Sequence, residues 1–193
     1  MNSKQTIVIK IGGSTLGSND TTLSDIVSLQ DSGNNIVIVH GGGPSISDWM
    51  KKQGLLPRFI KGLRVTDAAS LEIAVAVLAG LINKQLVANI TSLGGRAIGL
   101  SGVDGNMLQG QISNPDLGFV GEITKVDPKP VLDILNAGYI PLIAPVALPV
   151  APEIGSSLLN INGDIAAGQL AWALNADELI FLTDVPGVLD SSR

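Results

Sequence analysis

Two short runs of β-branched residues, each broken by glycines, set the pattern for the rest of the chain. Thr6 to Ile11 reads Thr-Ile-Val-Ile-Lys-Ile and stops at Gly12-Gly13. Ile36 to His40 reads Ile-Val-Ile-Val-His and stops at Gly41-Gly42-Gly43 before Pro44. Apolar runs with little polar alternation suit parallel strands covered on both faces. The glycines let the following backbone turn tightly and approach a ligand. Between the two runs, Leu23, Ile26, Val27 and Leu29 share one side of a helix predicted over Thr22 to Ser32. A second helix is expected from about Pro44, well placed in a first turn, to Gln53-Gly54. The result is a β-α-β-α run with right-handed parallel crossovers.

Further along, Leu55 to Val65 reads as irregular. Asp67 reads as the N-cap of a helix reaching about Thr91 that is apolar almost all round between Ile73 and Leu81. A helix without a polar face is buried on more than one side, so a second subunit is expected against it, in a twofold dimer through helix 68–91. Arg96 to Leu100 reads as a strand, and Met107 to Ile112 and Phe119 to Val126 as hairpin segments over the site. Pro128 to Asn136 reads as a helix, Tyr139 to Val146 as a strand of the main sheet, and Glu178 to Leu182 as the last strand. Leu158 to Asn162 feeds a helix from about Ile165 to Leu174.

Composition narrows the function classes. Charged residues are 15% of the 193, hydrophobic residues 45%, and the net charge is −5. With aromatics at 3% and no basic stripe, nucleic acid is a poor partner. The chain has no cysteine and one histidine, which excludes disulfides, thiol nucleophiles and histidine metal clusters. No apolar run is read as reaching the roughly 18 to 20 residues that a membrane span needs, and no signal peptide is evident, so a cytoplasmic location is expected. An anionic small molecule would be held by local N–H groups and a few cations.

Lys10 is the first of those cations. It either snorkels to water from a sheet edge or is held at the strand end beside the glycine N–H groups, facing phosphate. Arg58 and Lys61 read equally as solvated or as part of the site. Arg64, directly before the long helix, suits bidentate binding of a carboxylate. Asn160 and Asn162, two apart on a strand, share a face. Asp164 either caps the following helix or holds lysines around a transferring phosphate.

Taken together, Lys10-Ile11-Gly12-Gly13, His40-Gly41-Gly42-Gly43-Pro44, Gly62-Leu63-Arg64-Val65-Thr66-Asp67, Asn83-Lys84, Gly99 to Gly105, Asn160-Ile161-Asn162-Gly163-Asp164 and Thr183 to Val188 resemble the amino acid kinase family. Within it they resemble the members that phosphorylate N-acetylglutamate. The resemblance covers essentially the whole chain. It implies an α/β fold, a three-layer αβα sandwich with a mainly parallel central sheet. It implies transfer of the γ-phosphoryl of ATP, with Mg2+ held mainly by the nucleotide phosphates, to the side-chain carboxylate of N-acetyl-L-glutamate, a step of arginine biosynthesis.

Carried over by position, Lys10 would stabilise the transition state and Asp164 would orient the catalytic lysines. Gly42, Gly43, Arg64 and Asn160 would bind the substrate. Gly12, Gly13, Asp184, Val185, Pro186, Gly187, Val188 and Leu189 would line the nucleotide. On this likeness residues 1–175 form the N-acetylglutamate-binding and dimerisation lobe, and 176–193 begin a nucleotide-binding lobe whose remainder, with a second lysine, is expected to be missing. The short lead before Ile7 implies a dimer insensitive to arginine. The competing classes are a related acylamino-acid kinase, a non-catalytic N-acetylglutamate-binding module and an unstable fragment.

Overall fold

The computed structural model describes residues 4–13, 21–151 and 157–183. The two glycine-terminated runs are strands β1 (Thr6–Ile11) and β2 (Asn35–His40). They pair in parallel with Ile11 opposite His40, so both strands end at the same level. Three further strands complete a five-stranded sheet: β5 (Ala97–Ser101), β8 (Ile140–Ala144) and β11 (Glu178–Leu182), in the order β11-β1-β2-β8-β5. Every pairing in it is parallel.

Helices cover both faces, as the unalternating strands require. On one face Ile7, Ile9, Ile36, Ile38 and Leu142 pack against helices α1 (Thr22–Asp31) and α4 (Asn83–Ser92). On the other, Val8, Val37, Val39 and Ile143 pack against α5 (Lys129–Asn136) and α6 (Gly163–Ala173). The layers are those implied by the sequence resemblance.

Outside the sheet the structure departs from the sequence reading. The strand expected over Tyr139 to Val146 divides at Pro145. Its second part, β9 (Val146–Pro149), leaves the sheet and closes a four-stranded barrel with β6 (Leu108–Ile112), β7 (Val120–Val126) and β10 (Leu159–Ile161). The expected hairpin is therefore real, since β6 and β7 pair antiparallel, but its edges are taken up by β9 and β10. Closure leaves no free edge, which is how short strands become stable. Leu55 to Val65, read as irregular, carries the small antiparallel ladder of β3 (Phe59–Ile60) and β4 (Leu63–Arg64).

Helix α2 (Gly43–Lys52) begins inside the triple glycine with Pro44 in its first turn. The long apolar helix is α3 (Ala68–Val75), a π-helical segment Ala76–Ile82, and then α4, unbroken from Ala68 to Ser92. An 18-residue window within it reaches a mean hydropathy of 1.7, so by length and composition it does match a membrane span, contrary to the sequence expectation. Its Leu71, Ile73, Ala74, Val77, Leu78, Leu86 and Ile90 are buried in the protein, and so is the polar Asn83. Leu81 on its outer side is exposed.

The start of this helix is fixed as the sequence indicates: the Asp67 carboxylate accepts from the Ser70 N–H at 2.8 Å. Hydrogen bonds from Ser70 hold Asp67 below the usual carboxylate range. Asp67→Ala is expected to destabilise the chain by about 1 kcal/mol, with Asp67→Asn restoring most of it, as measured by urea unfolding.

Candidate active site

The equal lengths of β1 and β2 bring their glycine corners into contact. A β-carbon at Gly13 would lie 3.1 Å from both the nitrogen and Cα of Gly42 and 3.2 Å from Pro44 Cδ. The Gly41 N–H donates to Ile11 O at 2.9 Å, tying the second corner to the end of the first strand. Beyond these corners lies a cavity of about 210 Å³ lined by Lys10, Gly41 to Gly43, Arg64, Asn160 and Asn162 to Asp164, among others. The first turns of α2 and α6 both reach it, so two helix dipoles favour an anion there.

Lys10 is not at a sheet edge, because β1 is paired on both sides. The edge-snorkelling alternative is therefore set aside. Its stem passes Gly163, where an added β-carbon would meet Lys10 Cε at 3.6 Å, and Gly41, where it would do so at 4.0 Å. Its ammonium donates to Asp164 Oδ1 at 2.8 Å. Asp164 is not the helix cap. That role falls to Asn162, whose Oδ1 accepts from the N–H groups of Asp164 at 2.8 Å and Ile165 at 3.1 Å. With the cap supplied two residues earlier by Asn162, the Asp164 carboxylate is left to hold the ammonium.

Arg64 is 8% exposed and sits against the first turn of α2. Its Nη2 donates to Gly43 O at 2.8 Å and Ser47 Oγ at 2.7 Å, and its guanidinium lies 4.8 Å from the Phe59 ring centroid. Burial lowers its pKa from the ordinary arginine value. Among the described residues no carboxylate pairs with it; its partners are neutral. A buried cation without a counter-ion is costly, and an anion entering the cavity would relieve that cost.

Asn160 donates from Nδ2 to Thr66 Oγ1 at 3.1 Å, and the Thr66 hydroxyl donates to Arg64 O at 3.0 Å. Thr66 is fully buried and links Arg64 to Asn160. The sequence reading gave it no role, although it stands in the Gly-Leu-Arg-Val-Thr-Asp run. Gly12 and Gly13 lie just outside this cavity. They line a neighbouring one of about 250 Å³ that shares Gly41 with it and also holds His40, Ser45, Gln85 and Asn89. Asp184, Val185, Pro186, Gly187, Val188 and Leu189 lie outside the described residues.

The sequence model of the amino acid kinase family matches residues 5–193. The chain belongs to the amino acid kinase family. It is 44% identical over 188 residues to the acetylglutamate kinase of Dehalococcoides mccartyi strain BAV1, a match covering 96% of this chain and 69% of that protein. Against curated acetylglutamate kinases the chain spans about two thirds of their length. Among solved structures, smu.665 from Streptococcus mutans superposes with a TM-score of 0.85 at 32% identity, over 96% of this chain and 75% of that one. N-acetylglutamate synthase from Neisseria gonorrhoeae, solved with coenzyme A and N-acetyl-glutamate, gives 0.77 at 27% identity, over 95% of this chain and 42% of that one.

The amino acid kinase fold thus brings together Lys10, Gly42, Gly43, Arg64, Asn160 and Asp164 around one cavity. Next to it, burial pushes His40 down from its ordinary 6.5 to about 4; the hydrogen bond to Gly41 O opposes this and the charge of Lys84 adds to it. Below pH 6.5 the unfolded chain takes up a proton at this residue that the folded chain refuses until about pH 4. Stability contributed at neutral pH is therefore lost as pH falls through that window, by about 3 kcal/mol in total. Urea unfolding of wild type and His40→Gln at several pH values is expected to show this extra loss in wild type alone.

Proposed function

We propose that the chain carries the acceptor side of an acetylglutamate kinase, binding N-acetyl-L-glutamate in the cavity between Arg64 and the Lys10–Asp164 pair. The observation that carries this is the buried Arg64 guanidinium with neutral partners, facing the same cavity as a carboxylate-held ammonium. Arg64 takes the α-carboxylate, Asn160 contacts the acylamino portion, and the Gly42 and Gly43 N–H groups meet the side-chain carboxylate. That carboxylate attacks the γ-phosphorus of MgATP while the bond to the β–γ bridging oxygen breaks. The products are N-acetyl-L-glutamyl 5-phosphate and ADP.

No protein nucleophile is required, because phosphoryl transfer is catalysed mainly by positioning and by neutralising charge on the transferring oxygens. Lys10 supplies that charge, and Asp164 keeps it in place. Among the described residues no three His, Asp or Glu side chains gather, and the Asp164 carboxylate is engaged by Lys10. Magnesium would be held mainly by the phosphates of the nucleotide, as the family resemblance implies. The 44% identity to named acetylglutamate kinases supports this substrate pair.

Calorimetry and a hydroxamate assay with N-acetylglutamate and ATP test the assignment. Arg64→Ala is expected to weaken N-acetylglutamate binding by about 3 kcal/mol or more, since it removes a charge-assisted bidentate contact. Lys10→Ala is expected to leave binding within a fewfold and to lower turnover about 10² to 10³-fold. Unaltered binding by Arg64→Ala would remove the basis of the reading.

We further infer a homodimer through the outer side of the helix Ala68–Ser92, where Ala76, Gly80 and Leu81 lie exposed beside buried apolar neighbours. Sedimentation at micromolar concentration is expected to give a dimer, and Leu81→Glu a monomer of unchanged fold. A monomeric wild type would refute it.

A further inference from the structure

His40 is 1% exposed, at the carboxyl end of β2, and no step above uses it. Its surroundings fix which ring nitrogen carries the proton. Asn83 Nδ2 lies 2.9 Å from Leu142 O, 3.1 Å from Leu100 O and 3.2 Å from His40 Nε2, while Asn83 Oδ1 accepts from Lys84 Nζ at 3.0 Å. The two carbonyls can only accept, so the atom facing His40 is the amide nitrogen; its two hydrogens are shared among three acceptors, and with no lone pair to receive a proton donor it leaves Nε2 bare. The proton then sits on Nδ1, 3.0 Å from Gly41 O. Of charged groups, Lys84 bears on the ring, and it favours the neutral form.

That bond acts on the loop beside the cavity. The Gly41 N–H is already held by Ile11 O, and Nδ1–H holds the Gly41 carbonyl. In a planar trans peptide the carbonyl and the following N–H point in opposite directions. Turning Gly41 O toward the ring therefore turns the Gly42 N–H away from it. Gly42 is packed against the long helix: a β-carbon there would lie 2.5 Å from Ile82 Cδ1 and 2.7 Å from Leu78 Cδ2 of the π-helical segment. Asn83, the first residue after that segment, is itself seated so closely that a β-carbon at Gly99 would overlap its Oδ1.

We propose that His40 is a positioning residue: neutral and protonated at Nδ1, it sets the Gly41–Gly42 peptide so that the Gly42 N–H is available to the ligand, with Asn83 as its fixed anchor. The ligand's identity rests on the acetylglutamate reading above; the orientation of the peptide does not. Hydrogen-bond geometry alone carries the assignment, and the depressed basicity of the ring agrees with it.

Because the chain has a single histidine, its ring nitrogens can be read without overlap by 15N NMR. Wild type is expected to show a protonated Nδ1 and bare Nε2 from pH 8 to about pH 5. His40→Leu removes both ring bonds, whereas His40→Gln keeps one donor and one acceptor. His40→Leu is expected to weaken N-acetylglutamate binding about tenfold by calorimetry, and His40→Gln to recover most of it. Amide exchange at Val8 and Val37 in the core is expected to stay unchanged in both. An Nε2–H tautomer or an imidazolium at pH 7 would overturn the proposal. So would wild-type affinity in both variants, or binding loss that follows core exchange. If wild type binds no N-acetylglutamate, the substrate assignment fails and the tautomer still decides the role of His40.

Discussion

The site depends on one constraint: β1 and β2 run parallel, in register, and stop together. A parallel ladder places the carboxyl ends of its strands on one side, so two glycine corners that follow strands of equal reach must meet. Ile11 opposite His40 is the last such pair, and from it the corners come close enough that a β-carbon on Gly13 would press on Gly42. A side chain at Gly13 would press on Gly42 and Pro44, and one at Gly42 would collide with Leu78 and Ile82 of the long helix. The glycines are therefore a packing requirement before they are a binding feature, and the anion site follows from that packing. Residues far away in sequence then complete it because β10 and α6 deliver Asn160 and Asp164 to the same strand ends.

Much of this was legible in the sequence because the strands are covered on both faces and so carry the simplest possible signature, a β-branched run between glycines. Lys10 stood out for the same reason, as a charge inside such a run. The barrel was harder to read. β9 and β10 are four and three residues long, and their stability comes from closure with β6 and β7, a non-local property with no local pattern. Pro145, between β8 and β9, marks the division of one apparent strand into two, yet a proline after an apolar run does not say where the chain goes next.

Asp164 shows how a local and a tertiary demand look alike in sequence. An acidic residue in the first turn of a helix is the ordinary sign of a cap. Two residues earlier, Asn162 has the backbone conformation that lets its side chain reach two N–H groups, and it takes the cap. The carboxylate of Asp164 is then surplus to the helix and free for an ammonium that arrives from a strand more than 150 positions away in the chain. Thr66 and His40 escaped notice for a related reason. Each acts by orienting a neighbour, and that kind of role becomes visible in the hydrogen-bond partners rather than in residue type or spacing.

The two cations differ in a way that bears on catalysis. Arg64 is buried with neutral partners, so an anion that binds beside it gains the full relief of an uncompensated charge, in the ground state and transition state alike. Such a group strengthens binding without lowering the chemical barrier. Lys10 already has Asp164 at 2.8 Å, and its charge is largely satisfied before any ligand arrives. An ammonium so held gains little from a resting substrate. On the proposed reading it gains most in the transition state, where negative charge shifts toward the leaving bridging oxygen and competes with the carboxylate for the same three hydrogens. The carboxylate thus serves selectivity for the transition state as well as position. On the proposed reading, an acid partner on Lys10 and, among the described residues, none on Arg64 divide the labour between chemistry and binding.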